Sequence, residues 1–538
     1  VISVKKLFNF SSFAYLNCTQ FLGALNDNLF KILIVFLLIG IQGPEYANSI
    51  LGKVGALFVA PFLLFSQTAG ILADKVSKKK ITVGTKWLEV VIAIVGVFVF
   101  FFQLGWMAYI MLFLMATQSA IFGPAKYGIV KELVPENEIT KANGSLTAFT
   151  YLAIIIGTFL ASFITDITDR HLTIASLLCV IVAIVGLFTS YKIQPTPKAG
   201  SEKKLNTFPL KELYQTLKEA STRPFLITSI FCSSFFLFIG AFAQLNIIPF
   251  AIQSLSLDET KGGYLFLVTA IGISTGSLIA GKLSKQGKFT VSYFGALGIF
   301  ICAILISIFA SHLIFVIISL VLLGLFGGIF VVPMDTFIQT ESPENMRGQV
   351  IAANNFLSFI GVLLASLLLF ILKPFGSFAA ATGFFIVGVF TFFVSFLILR
   401  ADIEEFIYFI ARLKNFFAKK KIEEYLFDTP KILVLPVYSK QLFWDAVLMF
   451  KNVHPVLTFE NFGLRGFLLR VIGLRIAKQS KLNMNIYFKR VVKKQTSLLF
   501  FEDQWDPKLL SEITHEIDVP NENILYIQIE EGHCKIAT

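Results

Sequence analysis

The sequence predicts an α-helical membrane protein: twelve spans in two six-helix pseudo-repeats, followed by a small cytoplasmic α/β tail domain. Three observations carry that prediction. Of the 538 residues, 56% are apolar and only 15% charged, with 60 Phe and a mean hydropathy of +0.76. Soluble proteins are about 25% charged, so most of this chain uses lipid as its solvent. The charge is also unevenly divided, because residues 402–538 hold 36 of the 80 charged side chains. Finally, the apolar part repeats itself at one offset.

Apolar stretches long enough to cross about 30 Å of hydrocarbon are expected in order along the chain. The first six are near 13–40, 50–73, 81–103, 106–131, 143–165 and 172–191. The second six are near 224–250, 262–283, 290–310, 312–339, 348–372 and 376–399. Each must be a helix, because only a helix or a closed barrel satisfies its backbone without water. The first stretch is too long for the core of a cleavable leader and reads as the first span.

Connections carrying Lys75, Lys78, Lys79, Lys80, Lys131, Lys141, Lys192, Arg223, Lys282 and Arg347 alternate with connections that hold Arg170, Lys261 and Lys373. The positive-inside rule puts the first set, and both ends of the chain, in the cytoplasm. The net charge of +12 is thus explained by topology and anionic lipid, with no nucleic-acid partner implied.

The hydrophilic break at 192–223 separates a half at 1–191 from a half at 224–400. GILADKVSKKK at 70–80 is echoed by AGKLSKQGK at 280–288, and FGPAKYG at 122–128 by VVPMDTF at 331–337. Gly70 and Gly281 are 211 residues apart, and Pro124 and Pro333 are 209 apart. Repeated six-helix halves with a site between them are the mark of a secondary transporter. Residues 401–430 mix Phe and Ile with Lys and Arg, as an amphipathic connector on an anionic leaflet does. In 431–538, β-branched runs (KILVLPV, NIYFKRVV, SLLFFE, ILYIQI) alternate with helical stretches, which predicts a small α/β domain. The five Cys are scattered, without metal-ligand or redox spacing. No metal and no cofactor is expected.

Two groups carry candidate chemistry. Gly70 permits close helix packing, and Asp74 stands at a helix end beside Lys75 and Lys79. Such a carboxylate can meet cations or a helix N-terminus, in contacts that change as the two halves rock. Asn26, Asp27 and Asn28 fall near the middle of the first span. A carboxylate there costs roughly 2.5–3.5 kcal/mol unless it faces a polar cavity or a partner. Lys31, one turn on, offers either an internal ion pair or a second group on a cavity wall. Lys86 and Glu89 in the third span read as a structural pair, and Asn354 and Asn355 as cavity groups or interhelical bonds.

GILADKVSKKK resembles the loop 2–3 motif of the major facilitator superfamily. FLGALNDNLFK at 21–31, FGPAKYG at 122–128 and IIGTFLAS at 155–162 resemble its lysophospholipid transporter family. GAFAQLNIIPF at 240–250 and the 331–355 stretch resemble the branch of that family fused to a glycerolipid acyltransferase. The resemblance covers about residues 10–400. It implies a major facilitator fold and a flippase that moves lysophosphatidylethanolamine-type lipids from the outer to the cytoplasmic leaflet of a bacterial inner membrane. Carried over residue by residue, Asp27 matches the acidic position of span 1 and Lys126 the Lys of span 4. Some stand-alone relatives carry Arg near Gln244, where this chain has Gln244-Leu245-Asn246. The substrate-binding expectation therefore comprises Asn26, Asp27, Asn28, Lys31, Lys126, Gln244 and Asn246.

In the tail, LPVYSKQLFWDAVLMF at 435–450 resembles the first acyltransferase block. Asp445 falls at its Asp and Lys440 at its catalytic His. GLRIAKQ at 473–479 and LFFEDQW at 499–505, with Glu502, resemble later blocks. A lysine protonated at neutral pH cannot take the acceptor's proton, so a degenerate, non-catalytic domain is expected. Three alternatives stay open: an exporter of drugs or metabolites with the same fold, a bifunctional transporter-acyltransferase, and a lipid sensor that does not transport. A separate acyltransferase is the further partner that the resemblance leaves open.

Overall fold

The computed structural model describes residues 11–401 except 44–45, 199, 202–208, 258, 284–287 and 373–378. Beyond them it describes Ile407 and five strands in the tail. The chain divides into two compact units, residues 1–394 and 395–538.

Twelve helices of the described residues are long and apolar enough to cross a membrane. The first half consists of α1 (Ser12–Gln42), α2 (Ala47–Lys75), α3 (Lys78–Phe101), α4 (Gly105–Gly128), α5 (Ile139–Ile167) and α6 (Leu172–Tyr191). A linker helix follows, α7 (Pro209–Ala220). The second half consists of α8 (Leu226–Leu255), α9 (Glu259–Leu283), α10 (Lys288–Ile308), α11 (Leu313–Glu341), α12 (Arg347–Leu372) and α13 (Ala379–Ala401). Every expected span is present, and most extend a turn beyond the apolar run. Polar ends such as Lys78–Lys80 and Ile139–Ala142 continue the helical hydrogen bonding outside hydrocarbon.

Sequence reading treated 192–223 as a plain connector, whereas part of it is helical. Leu213, Leu217 and Ala220, spaced by one turn each, give α7 one apolar face. Leu213 and Leu217 pack on Ala353, Phe356 and Leu357 of α12, and Ala220 joins the neighbouring cluster with Ile230 and Val350.

The two halves meet along two seams, which the repeat relates to each other. On one, Gly70 of α2 lies so close to α12 that a Cβ there would stand 2.6 Å from Ala352 Cβ and 2.7 Å from the Gly348 carbonyl oxygen. On the other, Gly281 of α9 faces Lys141 of α5, with 3.0 Å between a built Cβ and Lys141 Cα, and Gly144 lies against the Ser277 carbonyl. Both contacts are near the face where α1 begins and α2 ends, here termed the lysine-rich face. The halves are therefore in contact at that face. Within the second half, Gly276 abuts the backbone of Leu325, a contact between helices of one bundle.

In the tail, β1 (Ile432–Leu435), β2 (Val453–Pro455), β3 (Ser497–Phe501), β4 (Ile524–Glu530) and β5 (His533–Ile536) form one sheet in the order β2-β3-β1-β4-β5. β1 runs parallel to β3 (Ile432 opposite Leu498) and to β4 (Ile432 opposite Ile524). β5 is antiparallel to β4, with Ile527 opposite Ile536. Pro455 sits in the edge strand β2, where its missing N–H costs least. Three expected runs are strands, while NIYFKRVV at 485–492 lies outside the described residues. So do residues 402–430 apart from Ile407, and Lys440, Asp445, 473–479 and Glu502.

Glycine packing yields a contrast that a thermal melt can check. Gly276→Val overpacks a permanent contact and should destabilise the detergent-solubilised protein by about 1–3 kcal/mol. Gly70→Val acts on a seam that can separate, so its melting temperature should change little. Spin labels on Lys80 and Glu344, both exposed, should then report a longer separation than in the parent.

Candidate functional site

Between the halves lies a cavity of about 800 Å³. It extends from the level of Asp27 to Leu51, Gly52 and Gln244, which are exposed toward the face opposite the lysines. Its walls are mostly apolar, built from Phe58, Phe62, Phe236, Ile239, Phe266 and Phe359 among others. Asp27, Asn28, Lys31, Lys86, Gln118 and Lys126 supply its polar surface.

Of the residues expected to bind substrate, Asp27, Asn28, Lys31, Lys126 and Gln244 line this cavity. The Asp27 carboxylate accepts from Ser119 Oγ at 2.6 Å and from Gln118 Nε2 at 3.4 Å. Lys31 does not form an ion pair with Asp27. Its ammonium donates to Asn28 Oδ1 at 3.2 Å and lies 5.0 Å from the centre of the Phe58 ring. Lys126 makes no hydrogen bond or ion pair among the described residues, and its Nζ rests 4.5 Å from the Tyr127 ring centre. Asp27 and Lys126 thus present opposite charges to the same space without an ion pair within 4 Å.

Asn26 and Asn246 point elsewhere. Asn26 is fully buried and donates to Glu89 Oε1 at 2.8 Å. Glu89 in turn holds Lys86 at 2.5 Å, with both side chains about 1% exposed. This ion pair is the structural one the sequence predicts, and Asn26 completes it. Asn246 is buried and donates to the Ala380 carbonyl at 2.8 Å, tying α8 to α13. A period of one residue in a helix turns a side chain by 100°, so adjacent polar residues in NDN and QLN face different neighbours.

Asp74 has a well-defined partner. It is fully buried and accepts from Gly348 N at 2.7 Å, Gln349 N at 3.0 Å and Gln349 Nε2 at 3.1 Å. Those amides are unsatisfied donors in the first turn of α12, where a carboxylate also meets the positive end of the helix dipole. Gly70, one turn back, allows the approach. Lys75 and Lys79 stand partly exposed beside it, and Lys78 is the lysine that pairs, with Glu132 at 2.5 Å. At the pseudo-equivalent seam, the described residues show glycine packing without a carboxylate. Lys285, at the position matching Asp74, lies outside the described residues.

The 331–337 motif contains an acidic residue to which the sequence assigns no role. Asp335 on α11 accepts from Ser233 Oγ at 2.6 Å, and Asn354 Nδ2 supports that serine at 3.1 Å. The signal that could have found it is the one used for Asp27, a carboxylate deep in an apolar span.

This architecture agrees with comparison to known proteins. The model of the Major Facilitator Superfamily matches residues 16–366. The chain belongs to the Major Facilitator Superfamily. Within it, the chain is similar to the lysophospholipid transporter LplT of Klebsiella pneumoniae, 28% identical over 358 residues, covering 64% of this chain and 85% of that protein. LplT of Escherichia fergusonii is 26% identical over 343 residues, covering 62% and 82%. Among solved structures, the human organic anion transporter MFSD10 aligns with a TM-score of 0.60 at 13% identity, over 72% of this chain and 99% of that one. A bacterial homologue of the iron transporter ferroportin aligns at 0.59 and 14% identity, over 72% and 99%. These structures share the superfamily fold. The protein is a multi-pass membrane transporter.

The different partners of two buried acids separate their roles. Lys86→Met leaves Glu89 buried without its cation and should cost about 3–5 kcal/mol of stability, seen as a lower melting temperature. Asp74→Asn removes charge-assisted bonds that exist only while the seam is closed. It should favour separation at the lysine-rich face by about 1–3 kcal/mol, read as a longer distance between spin labels on Lys80 and Glu344, both exposed.

Proposed function

We propose that this transporter carries lysophospholipids, of the lysophosphatidylethanolamine type, from the outer to the cytoplasmic leaflet of a bacterial inner membrane by alternating access. The observation that carries this reading is the character of the cavity. A wide apolar wall suits one acyl chain, while Asp27 and Lys126 offer a carboxylate and an unpaired ammonium to a headgroup that bears both charges. Charge-assisted hydrogen bonds run from carboxylate to ammonium and from lysine to phosphate. Similarity to proteins named lysophospholipid transporters supports the same substrate class.

Two features support this direction. The excess of lysines marks one face as cytoplasmic. With the halves in contact there and the cavity reaching the opposite face, access to the cavity is from the outer-leaflet side in this reading, as inward transport requires for loading. Asp74 and the α12 amides form the latch that must open for release, and Asn28, Lys31 and Gln244 complete the polar lining. Asn26 and Asn246 act through packing rather than by touching substrate.

The tail, in this reading, is an acyltransferase-like domain without acyl-transfer activity. Lys440 falls in sequence at the position of the general base, and a lysine's positive charge opposes proton abstraction. Reacylation would then fall to a separate acyltransferase.

Reconstituted full-length protein should bring labelled lysophosphatidylethanolamine into the protected leaflet of proteoliposomes. Asp27→Asn and Lys126→Met should each slow that uptake by about tenfold or more, the loss of one charge-assisted bond, with melting temperatures close to the parent. Normal uptake by both variants would remove these residues from the site. Supplied with an acyl donor, the full-length protein should form no diacyl product, and product formation abolished by Lys440→Ala would overturn the assignment of the tail.

A further inference from the structure

The internal repeat relates two charged residues of opposite sign. Lys126 follows Pro124 by two residues in α4, and Asp335 follows Pro333 by two residues in α11. Both pairs lie at the offset of 209 residues that superposes the halves. One position therefore bears a cation in the first half and an anion in the second. Each is in an apolar span, where an unpaired charge is costly. Among the described residues, neither has an ion-pair partner within 4 Å, nor do they reach each other.

The space around Asp335 is a chamber of about 200 Å³. It adjoins the main cavity on the lysine-rich side, with Tyr127, Tyr151, Phe236, Asn355 and Phe359 lining both. Besides the carboxylate it contains Gln339, which is 2% exposed. The Gln339 amide nitrogen donates to Asn143 Oδ1 at 3.0 Å, while its oxygen, buried in the same lining, has no partner. An acceptor buried without a donor costs roughly 1–3 kcal/mol, so it marks a place where a donor is missing. Ser233 and Asn354 hold the Asp335 carboxylate in place from α8 and α12.

We infer that this chamber is a second binding station, which takes the ammonium group of a zwitterionic lipid headgroup on Asp335 and the Gln339 oxygen while Lys126 holds the phosphate. A primary ammonium has three donors and no acceptor, which suits a carboxylate with remaining acceptor capacity and an amide oxygen without a partner. The chamber is larger than a bare alkali ion needs: a water's share of liquid volume is about 30 Å³. Its position gives it a place in the cycle. The main cavity offers Asp27 from the first half, and the chamber offers Asp335 from the second, nearer the lysine-rich face. Passing the ammonium from one carboxylate to the other moves the headgroup across the interface between the halves. This rests on the lysophospholipid reading above and adds the residues that select the headgroup.

The test is equilibrium binding to the detergent-solubilised full chain, with lysophosphatidylethanolamine and lysophosphatidylglycerol as probes, the second lacking the ammonium. Asp335→Asn is nearly isosteric and can keep the Ser233 bond. It should weaken lysophosphatidylethanolamine roughly tenfold and leave lysophosphatidylglycerol within about twofold. Gln339→Leu, which removes only the second acceptor, should weaken the same lipid selectively and by less. Equal weakening of both lipids, or no change in either, would overturn the station. So would a sodium requirement of the parent that Asp335→Asn abolishes while headgroup discrimination survives, since the chamber would then be an alkali-cation site. Transport in proteoliposomes separates the two readings. If the parent discriminates in binding but does not flip lipid, the transport reading fails and the station stands. If the parent flips both lipids without discriminating, the station fails and the transport reading stands.

Discussion

Hydrocarbon offers no water to a polar side chain, and this constraint organises the structure. A charge inside an apolar span is tolerated only where protein or an internal cavity replaces the missing solvent. Glu89 is answered by Lys86 and Asn26 within the first half. Asp74 is answered by the amide end of α12, across the boundary between halves. Asp27 and Asp335 accept hydrogen bonds from neutral groups, Lys126 rests on an aromatic ring, and all three line the internal spaces without an ion pair within 4 Å among the described residues. The polar groups thus sort into those that hold a bundle, those that hold the bundles together, and those that face the cavities.

That sorting explains how one molecule can be stable and mobile. The Lys86–Glu89 pair and the Gly276–Leu325 contact are internal to a half and need not change as the halves rock. The Asp74–α12 bonds and the Gly70–Ala352 contact cross a seam and must break for the lysine-rich face to open. Asp74 binds two backbone amides of α12 and the Gln349 side-chain amide. Gly70 and Gly348 both lie too close to the facing helix for a side chain, so the α12 sequence contributes to this contact as well as its backbone. The other seam has Gly144 and Gly281 packed against backbone, which makes the two seams alike in shape and unlike in charge.

The internal repeat has a functional consequence beyond the fold. Duplication of a six-helix unit supplies the same backbone positions twice, on either side of the internal space. Divergence at one such position, to Lys126 and Asp335, gives a symmetric scaffold two opposite charges, which the proposed headgroup station would use for a ligand that is itself asymmetric in charge.

Composition and hydrophobic run length alone determined the membrane class, the number of spans and their order. Each span is continuous in sequence, and lipid forces it to satisfy its own backbone. The repeat offset likewise made the two halves legible, and the β-rich runs at 432–435, 497–501 and 524–530 were visible as local patterns. What the sequence left open was the partner of each polar side chain. Asn26, Asp27 and Asn28 are consecutive, yet one meets Glu89, one Ser119 and the last Lys31 and a backbone carbonyl. Asn246 resembles a cavity group in sequence and is a bolt to α13 in space. Asp335 and Gln339 belong to a chamber assembled from α4, α5, α8, α11 and α12. A helix determines which of its own residues share a face, but the neighbour that a face meets depends on how helices far apart in the chain pack.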